Sequence, residues 1–92
     1  MSETIIDVKS AVKIAMQYVL DLLSGDQVRD VRLEEVEFSD DGEYWLVTIG
    51  FSRPEAQRSA FEVLHGRFER EYREVKVLAK DGQVRSMRIR KP

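Results

Sequence analysis

The sequence predicts an α+β fold in which one N-terminal helix packs against a curved, four-stranded antiparallel sheet. Apolar residues recur at helical spacing over residues 5–24, and two later segments alternate like β-hairpins around Asp41-Gly42 and Asp81-Gly82. The chain has 92 residues, 42% of them apolar, which suffices for one modest hydrophobic core. We therefore expect a single α+β domain over residues 1–92.

The composition excludes several kinds of site. The chain has no cysteine, which rules out disulfides, thiol nucleophiles and thiolate metal sites. One histidine, His65, cannot supply the ligands of a typical zinc site. The sequence also has no phosphate-binding glycine loop and no nucleophile elbow. We expect no enzyme activity, cofactor or metal. Residues 1–10 lack a signal-peptide pattern and no apolar run approaches the ~20 residues of a membrane span, so the expected location is cytoplasmic.

The first element is a predicted helix over residues 5–24. Thr4 is the expected N-cap and Gly25 the expected stop, because threonine caps helices and glycine adopts the left-handed conformation at low cost. The apolar stripe that should face the sheet consists of Val8, Ala11, Val12, Ala15, Met16, Val19, Leu22 and Leu23.

The first hairpin turns at Asp41-Gly42, where a two-residue type I′ turn is expected. The apolar residues change parity before Val36, so we predict a bulge at residues 34–35, opposite Thr48. The pairs on the apolar face are then Phe38 with Trp45, Val36 with Val47, Leu33 with Ile49, and Val31 with Phe51. The opposite face carries Arg32, Glu37, Tyr44, Leu46 and Thr48.

The second hairpin spans the last twenty or so residues. A three-residue loop, Lys80–Gly82 with Gly82 left-handed, sets Val75 opposite Met87. A bulge at residues 73–74 would then bring Tyr72 opposite Ile89 on the apolar face.

A charged insert separates the two hairpins. Pro54 suits the first turn of a helix, and Gly66 suits its end, so a short helix over residues 54–65 is predicted between strands 2 and 3. The alternative is one long helix over residues 54–76, because apolar residues keep helical spacing past Gly66.

Charge is unevenly distributed along the chain. Residues 1–46 hold 4 basic and 11 acidic residues, whereas residues 47–92 hold 11 basic and 6 acidic residues. This asymmetry marks either a partner surface or acidic early strands that pair with basic late strands. The late arginines raise the possibility of nucleic-acid binding, but interleaved glutamates and a pI of about 5.4 argue against it.

The order of a helix and two hairpins resembles a PepSY-like domain with a cystatin-like fold. The shared features fall on Trp45 and Val47, and on a last hairpin that contains Tyr72, Val75, Val77, Asp81, Gly82 and Val84. The resemblance implies a non-enzymatic module that binds or inhibits a protein. Asp81 replaces the usual threonine of the last turn. Residues 27–31 lack the glycine of the cystatin protease-blocking loop, so protease inhibition is not implied.

The function predicted from the sequence is a small cytoplasmic protein-interaction module, regulatory or inhibitory, that binds a protein partner or forms a homodimer. The alternatives are a nucleic-acid-associated protein that uses the late arginines and a small-molecule-binding domain. Because connections carry function more often than cores, the candidate partner contacts are first in the insert and second on the outer sheet face. They are Arg58, His65, Arg67, Tyr44 and Leu46.

Overall fold

One helix lies on one face of a four-stranded antiparallel sheet, which confirms the predicted α+β class. The computed structural model describes residues 4–53 and 70–91. The elements are α1 (Val8–Leu22), a 3₁₀ turn (Ser24–Asp26), β1 (Arg29–Phe38), β2 (Tyr44–Ser52), β3 (Glu71–Leu78) and β4 (Val84–Arg90). The strands lie in the order β1-β2-β3-β4. The short helix predicted between strands 2 and 3 falls on residues 54–65, outside the described residues.

Helix α1 begins later than the sequence predicted. Its N-cap is Asp7, not Thr4, and the Asp7 carboxylate accepts a hydrogen bond of 2.8 Å from the backbone N–H of Ser10. The residues before it are held by the sheet, because Ile6 donates its N–H to the carbonyl of Ala79 at 2.8 Å and accepts the indole N–H of Trp45 at 3.0 Å. These two bonds keep Ile6 out of the helix.

The prediction that α1 ends at Gly25 is also wrong. Leu23 is the C-cap, and the chain continues through the 3₁₀ turn to Gln27, which takes the left-handed conformation with φ of 53°. Asp26 in this turn accepts a hydrogen bond of 2.9 Å from the Arg53 guanidinium. The chain therefore reverses at a point fixed by this ion pair, beyond Gly25.

The centre of the predicted helix stripe forms the contact with the sheet. Ala11, Ala15 and Val19 are fully buried at spacings of four residues. Val8 and Leu22, at the two ends of the stripe, remain 39% and 54% exposed. The small alanines bring α1 close to the sheet face, which we call the inner face. The core contains Ala11, Ala15, Val19, Val47, Ile49, Phe51, Val75 and Val77.

The register of the first hairpin is as predicted, with Phe38 opposite Trp45 and Val36 opposite Val47. The turn is different. Only Gly42 of the two turn residues has a positive φ, of 74°, and Asp41 accepts hydrogen bonds from the Ser39 hydroxyl and the Glu43 N–H. A type I′ turn needs positive φ at both residues, whereas here the aspartate side chain closes a four-residue loop.

Two bulges bend β1. The predicted one is confirmed, because Leu33 pairs with Ile49 and Glu35 with Thr48. A second bulge lies between Arg29 and Arg32, so the predicted simple pairing of Val31 with Phe51 is wrong. Asp30 has a φ of 52° within this bulge, an uncommon conformation that aspartate tolerates better than most residues.

The second hairpin keeps the predicted pairing of Val75 with Met87, and Gly82 is left-handed with φ of 79°. The loop is one residue longer than expected, since Leu78 donates its N–H to the Gln83 carbonyl at 2.8 Å. A register shift between the Lys76 and Val77 pairs compensates for the extra residue.

The predicted bulge at residues 73–74 is absent, because Tyr72, Arg73 and Glu74 pair continuously with β4. Arg73, not Tyr72, therefore faces α1. Arg73 is 8% exposed, and its guanidinium lies 5.1 Å from the centre of the Phe51 ring, where cation–π attraction and a contact with Glu71 stabilise it. The long-helix alternative over residues 54–76 is also wrong, because β3 begins at Glu71.

Candidate interaction surfaces

The sequence-predicted contact residues fall in two places. Arg58, His65 and Arg67 lie outside the described residues. Tyr44 and Leu46 lie on β2, and their register places them on the outer face of the sheet, opposite α1, as predicted. Both side chains are half-buried.

A lysine covers the tyrosine of this pair. Lys76 on β3 lies opposite Leu46, and its ammonium nitrogen is 4.5 Å from the centre of the Tyr44 ring. An ammonium over an aromatic face is attracted by the ring quadrupole. The apolar surface that Tyr44 and Leu46 offer is therefore interrupted by a charge.

An ion pair crosses the outer face from one edge strand to the other. Arg90 on β4 donates to the Thr48 hydroxyl on β2 at 2.7 Å and to the Glu35 carboxylate on β1 at 3.0 Å. Thr48 is only 4% exposed beneath this guanidinium. The hydrogen bond and the charge of Glu35 raise the pKa of Arg90.

A second arginine closes the neighbouring part of the outer face. The Glu34 carboxylate lies over Gly50, so close that a β-carbon at Gly50 would be 2.6 Å from its oxygen. Arg70 donates to Glu34 at 3.2 Å and to the Asp30 carbonyl at 2.7 Å. Gly50 thus permits the close approach that this ion pair needs.

Between these ion pairs lies a polar cavity of about 360 Å³. Its lining residues are Glu34, Glu35, Thr48, Tyr72, Arg90 and Lys91. Both carboxylates of the cavity are already neutralised by arginines. Across residues 4–53 and 70–91, no three acidic or histidine side chains converge as a metal site would require.

Arginines also hold both ends of the connection between β2 and β3. Arg53 pairs with Asp26 at 2.9 Å and with Glu71, and both interactions raise its pKa, that with Glu71 more strongly. Arg70, at the other end, pairs with Glu34 and lies within 3.5 Å of the Ser52 hydroxyl. The connection therefore leaves and rejoins the sheet at fixed points.

An exposed apolar surface lies where α1 meets β1. A groove of about 370 Å³ runs there, lined by Val8, Lys9, Val12, Lys13, Leu33 and Val36. Leu33 is 42% exposed, Val8 39% and Phe38, the next inner-face residue of β1, 38%. We call Val8, Val12, Leu33, Val36 and Phe38 the α1–β1 strip.

Basic side chains border the strip on its helix side, where Lys9 and Lys13 line the groove. The acidic residues of β1 do not form a second border, because Glu35 pairs with Thr48 and Glu37 with Leu46, which places both carboxylates on the outer face. The strip is therefore an apolar surface with a basic rim on the α1 side.

The uneven charge is partly satisfied within the domain. Acidic β1 and basic β4 lie at opposite edges of the sheet and do not pair through their backbones. Three of the five salt bridges among the described residues nevertheless join a carboxylate of the first half of the chain to an arginine of the second half: Asp26–Arg53, Glu34–Arg70 and Glu35–Arg90.

The sequence identified the strip residues as core residues. Their periodicity correctly placed Leu33 and Phe38 on the inner face, but periodicity does not reveal how far one helix covers a sheet. A helix is about 10 Å wide and strands are about 4.8 Å apart, so α1 covers about two of the four strands. The edge position of β1 was the signal that could have revealed its exposure.

The described helices do not include one with the length and apolar character needed to cross a bilayer. The chain matches no protein-family model, no curated protein and no solved structure at a significant level of similarity.

Proposed function

We propose that this domain is a small, cytoplasmic, non-enzymatic module that binds protein through the α1–β1 strip. The observation that carries the proposal is the exposure of Val8, Leu33 and Phe38 together, each at about two-fifths, beside an apolar groove. Large apolar side chains that adjoin one another on a surface mark interaction sites more often than scattered ones do. A polar rim beside an apolar centre, here formed by Lys9 and Lys13, is the arrangement of a protein interface.

The groove suits a protein better than a small molecule. Small-molecule sites are enclosed and combine apolar walls with a few convergent polar groups. Here the lining is Val8, Val12, Leu33 and Val36, open along the edge of the sheet, and the only charged lining residues are two lysines of the rim. A broad partner surface would cover such a strip and exclude water from it.

The PepSY-like resemblance supports the same proposal, because it implies a module that binds or inhibits a protein. A helix on a bent antiparallel sheet is the architecture that the resemblance predicts. The outer face around Tyr44 and Leu46 is the second candidate surface, since both side chains are half-exposed there.

The nucleic-acid alternative has less support, because many of its arginines are occupied. Arg53, Arg70, Arg73 and Arg90 each pair with a carboxylate. A guanidinium that is neutralised within the domain contributes little to phosphate binding.

The proposal is tested by placing a photo-crosslinking amino acid at Leu33 in the full chain and irradiating it in native cell extract. We expect one stoichiometric protein adduct that excess wild-type domain competes away and Leu33→Glu domain does not. A crosslinker at Arg85, exposed on the opposite edge, is the matched control. Equal labelling from both positions, or none from Leu33 in either purified protein or extract, contradicts the proposal.

A further inference from the structure

We propose that the occupant of the α1–β1 strip is an acidic amphipathic helix of another protein, with carboxylates on one flank of its apolar stripe. This inference rests on the proposed function, because it names the chemistry of the partner at the same surface. It is carried by the apolar row along α1, by the two lysines that border this row and by the bulged backbone of the β1 edge.

One side of α1 presents an apolar row against which a second helix can pack. Val8 and Val12 of this row line the groove beside β1. The row recurs every four residues and consists of Val8, Val12, Met16 and Leu20. Side chains at this spacing form the ridges that enter the grooves of a neighbouring helix. From Val8 to Leu20 the row is ~18 Å long, which matches a partner helix of about three turns.

The strand side of the groove provides the second wall for such a helix. Leu33 and Val36 of β1 line this wall, and Phe38 continues it along the inner face. Neighbouring helices pack with their axes about 8–10 Å apart, so a helix beside α1 would lie along the β1 edge. It would cover the exposed side chains of Leu33 and Phe38 there.

The two lysines of the rim specify the charge of the partner. Lys9 and Lys13 are exposed, and all five salt bridges among the described residues are formed by arginines, so neither lysine pairs with a described carboxylate. The lysines are four residues apart, or ~6 Å along the axis of α1. Carboxylates four residues apart on a partner helix have the same spacing, so each can meet one lysine.

An extended strand is a poorer occupant than a helix. The pairing of β1 shifts register at two places within ten residues, and Asp30 has a φ of 52° at one of them. These bulges interrupt the row of backbone N–H and C=O groups that an added strand would need. Side chains of a helix can fill the groove without using the β1 backbone.

An anionic membrane surface also attracts lysines that lie beside apolar residues. A membrane, however, presents its negative charge over a broad plane, which would repel Glu37 on the outer face of β1. A partner helix can place its carboxylates on the α1 side of the groove alone. The location of the positive charge on one wall only therefore favours the helix.

The first test is selection from a phage-displayed library of helices on the immobilised full chain. Each helix has about 16 residues, enough to span the row, with a fixed leucine stripe and random residues on both flanks. We expect selected helices to carry Asp or Glu at two positions four residues apart on one flank. Selection on the Lys9→Glu/Lys13→Glu variant should enrich Lys or Arg at these positions. If both selections enrich the same flank residues, or none, the inference is overturned.

The second test measures the affinity of one selected helix, as a free peptide, by fluorescence anisotropy. Leu33→Glu should abolish binding, and Lys9→Glu/Lys13→Glu should weaken it about tenfold at low salt and less at high salt. Arg85→Glu, an exposed charge reversal on the opposite edge, is the matched control and should bind as wild type does. Circular dichroism verifies that each variant is folded. Equal weakening by Arg85→Glu would show that only net charge matters and would overturn the inference.

The membrane alternative is tested with phosphatidylserine vesicles and the full chain. We expect no sedimentation of the domain with the vesicles under conditions in which the selected peptide binds. Sedimentation that Leu33→Glu and Lys9→Glu/Lys13→Glu both abolish would assign the strip to a lipid surface and overturn the helix.

The photo-crosslink at Leu33 distinguishes failure of this inference from failure of the proposed function. Mass spectrometry of the adduct formed in extract should locate the crosslink in an acidic amphipathic segment of a different protein. A competed adduct with a second copy of this chain, or with a segment that lacks acidic residues beside an apolar stripe, overturns the acidic helix and leaves the interaction module intact. Absence of any adduct from Leu33 overturns both.

Discussion

Arg90 and Glu35 connect the two edge strands of the sheet across its outer face, with 3.0 Å between the guanidinium and the carboxylate. The two residues are 55 positions apart in the chain. Between them, the Thr48 hydroxyl accepts a hydrogen bond of 2.7 Å from the same guanidinium. The ion pair therefore ties the first strand to the last, without either strand contacting the other through its backbone.

Removing this connection should destabilise the domain in a salt-dependent way. Arg90→Ala leaves the Thr48 hydroxyl and the Glu35 carboxylate without their guanidinium. We expect the melting temperature to fall by a few degrees at low salt and by less at high salt, since ions screen a partly exposed pair. Arg88→Ala, an exposed arginine on the same face of the same strand, is the control and should change little.

Trp45 tests the contact between the start of α1 and the sheet. Its indole donates to the Ile6 carbonyl at 3.0 Å, and its ring lies 4.7 Å from that of Phe38. Trp45→Ala should cost about 3 kcal/mol of unfolding free energy in urea, followed by circular dichroism, because a large side chain is removed. Trp45→Phe should cost about 1 kcal/mol, the value of the lost hydrogen bond. Equal costs would mean that the packing of the ring contributes nothing beyond the hydrogen bond, which both variants lose.

Gly82 and Gly25 should respond oppositely to alanine. Gly82 has a φ of 79°, and a β-carbon there would lie 2.8 Å from the Ile14 side chain. Gly82→Ala should therefore cost about 1–2 kcal/mol, because alanine resists the left-handed conformation. Gly25 has open space around its α-carbon and no positive φ, so Gly25→Ala should stay within about 0.5 kcal/mol of wild type. A large loss of unfolding free energy in Gly25→Ala would mean that Gly25 adopts the left-handed conformation and ends α1.

The Asp7 N-cap of α1 should make the stability of the fold depend on pH in the acid range. Hydrogen bonds from the Ser10 hydroxyl and then from its backbone N–H lower the pKa of Asp7 below its ordinary value of 3.8. A folded-state pKa below the unfolded one stabilises the fold above pH 3.8, and this contribution is lost as pH falls through the folded pKa.

Asp7→Asn separates the charge from the cap, because asparagine also caps helices but does not titrate. We expect wild type to melt above Asp7→Asn at about pH 6, and the difference to vanish towards about pH 2. Ser10→Ala should shift this loss to higher pH, since the hydroxyl holds the pKa of Asp7 down. A pH-independent difference would show that the carboxylate charge is not involved.

The register of the first hairpin could be predicted although its turn type was wrong. A two-residue loop at Asp41-Gly42 and the observed loop from Asp40 to Glu43 both leave Ser39 opposite Tyr44. The longer loop adds one residue on each side of the same centre, so every pair beyond the two loops is the same. The bulge at residues 34–35 could be predicted because the apolar residues change from odd to even positions between Leu33 and Val36.

Arg73 shows why the second hairpin was less predictable. A sequence pattern assigns an arginine to the solvent side, so a bulge was needed to place Tyr72 on the core face. In the structure the guanidinium lies over Phe51 and contacts Glu71, which lets a charged residue occupy the inner face. That arrangement depends on residues of two strands, which local periodicity does not connect.

The candidate site was the least predictable part. Periodicity assigned Leu33 to the inner face, and the structure agrees. Its exposure follows from the width of one helix relative to a four-stranded sheet, a property of the assembled fold. The outer-face pair, Tyr44 and Leu46, was found from the sequence because strand alternation alone identifies it.

The arginines at the two ends of the connection between β2 and β3 have a consequence for engineering. Phe51 and Glu71 already pair in the sheet, while Arg53 and Arg70 hold the chain on either side of residues 54–69. Doubling the length of a loop between two fixed ends costs only about 0.6 kcal/mol in closure entropy. Foreign peptides or whole reporter domains grafted between these two arginines should thus be displayed at a defined position without disturbing strand register.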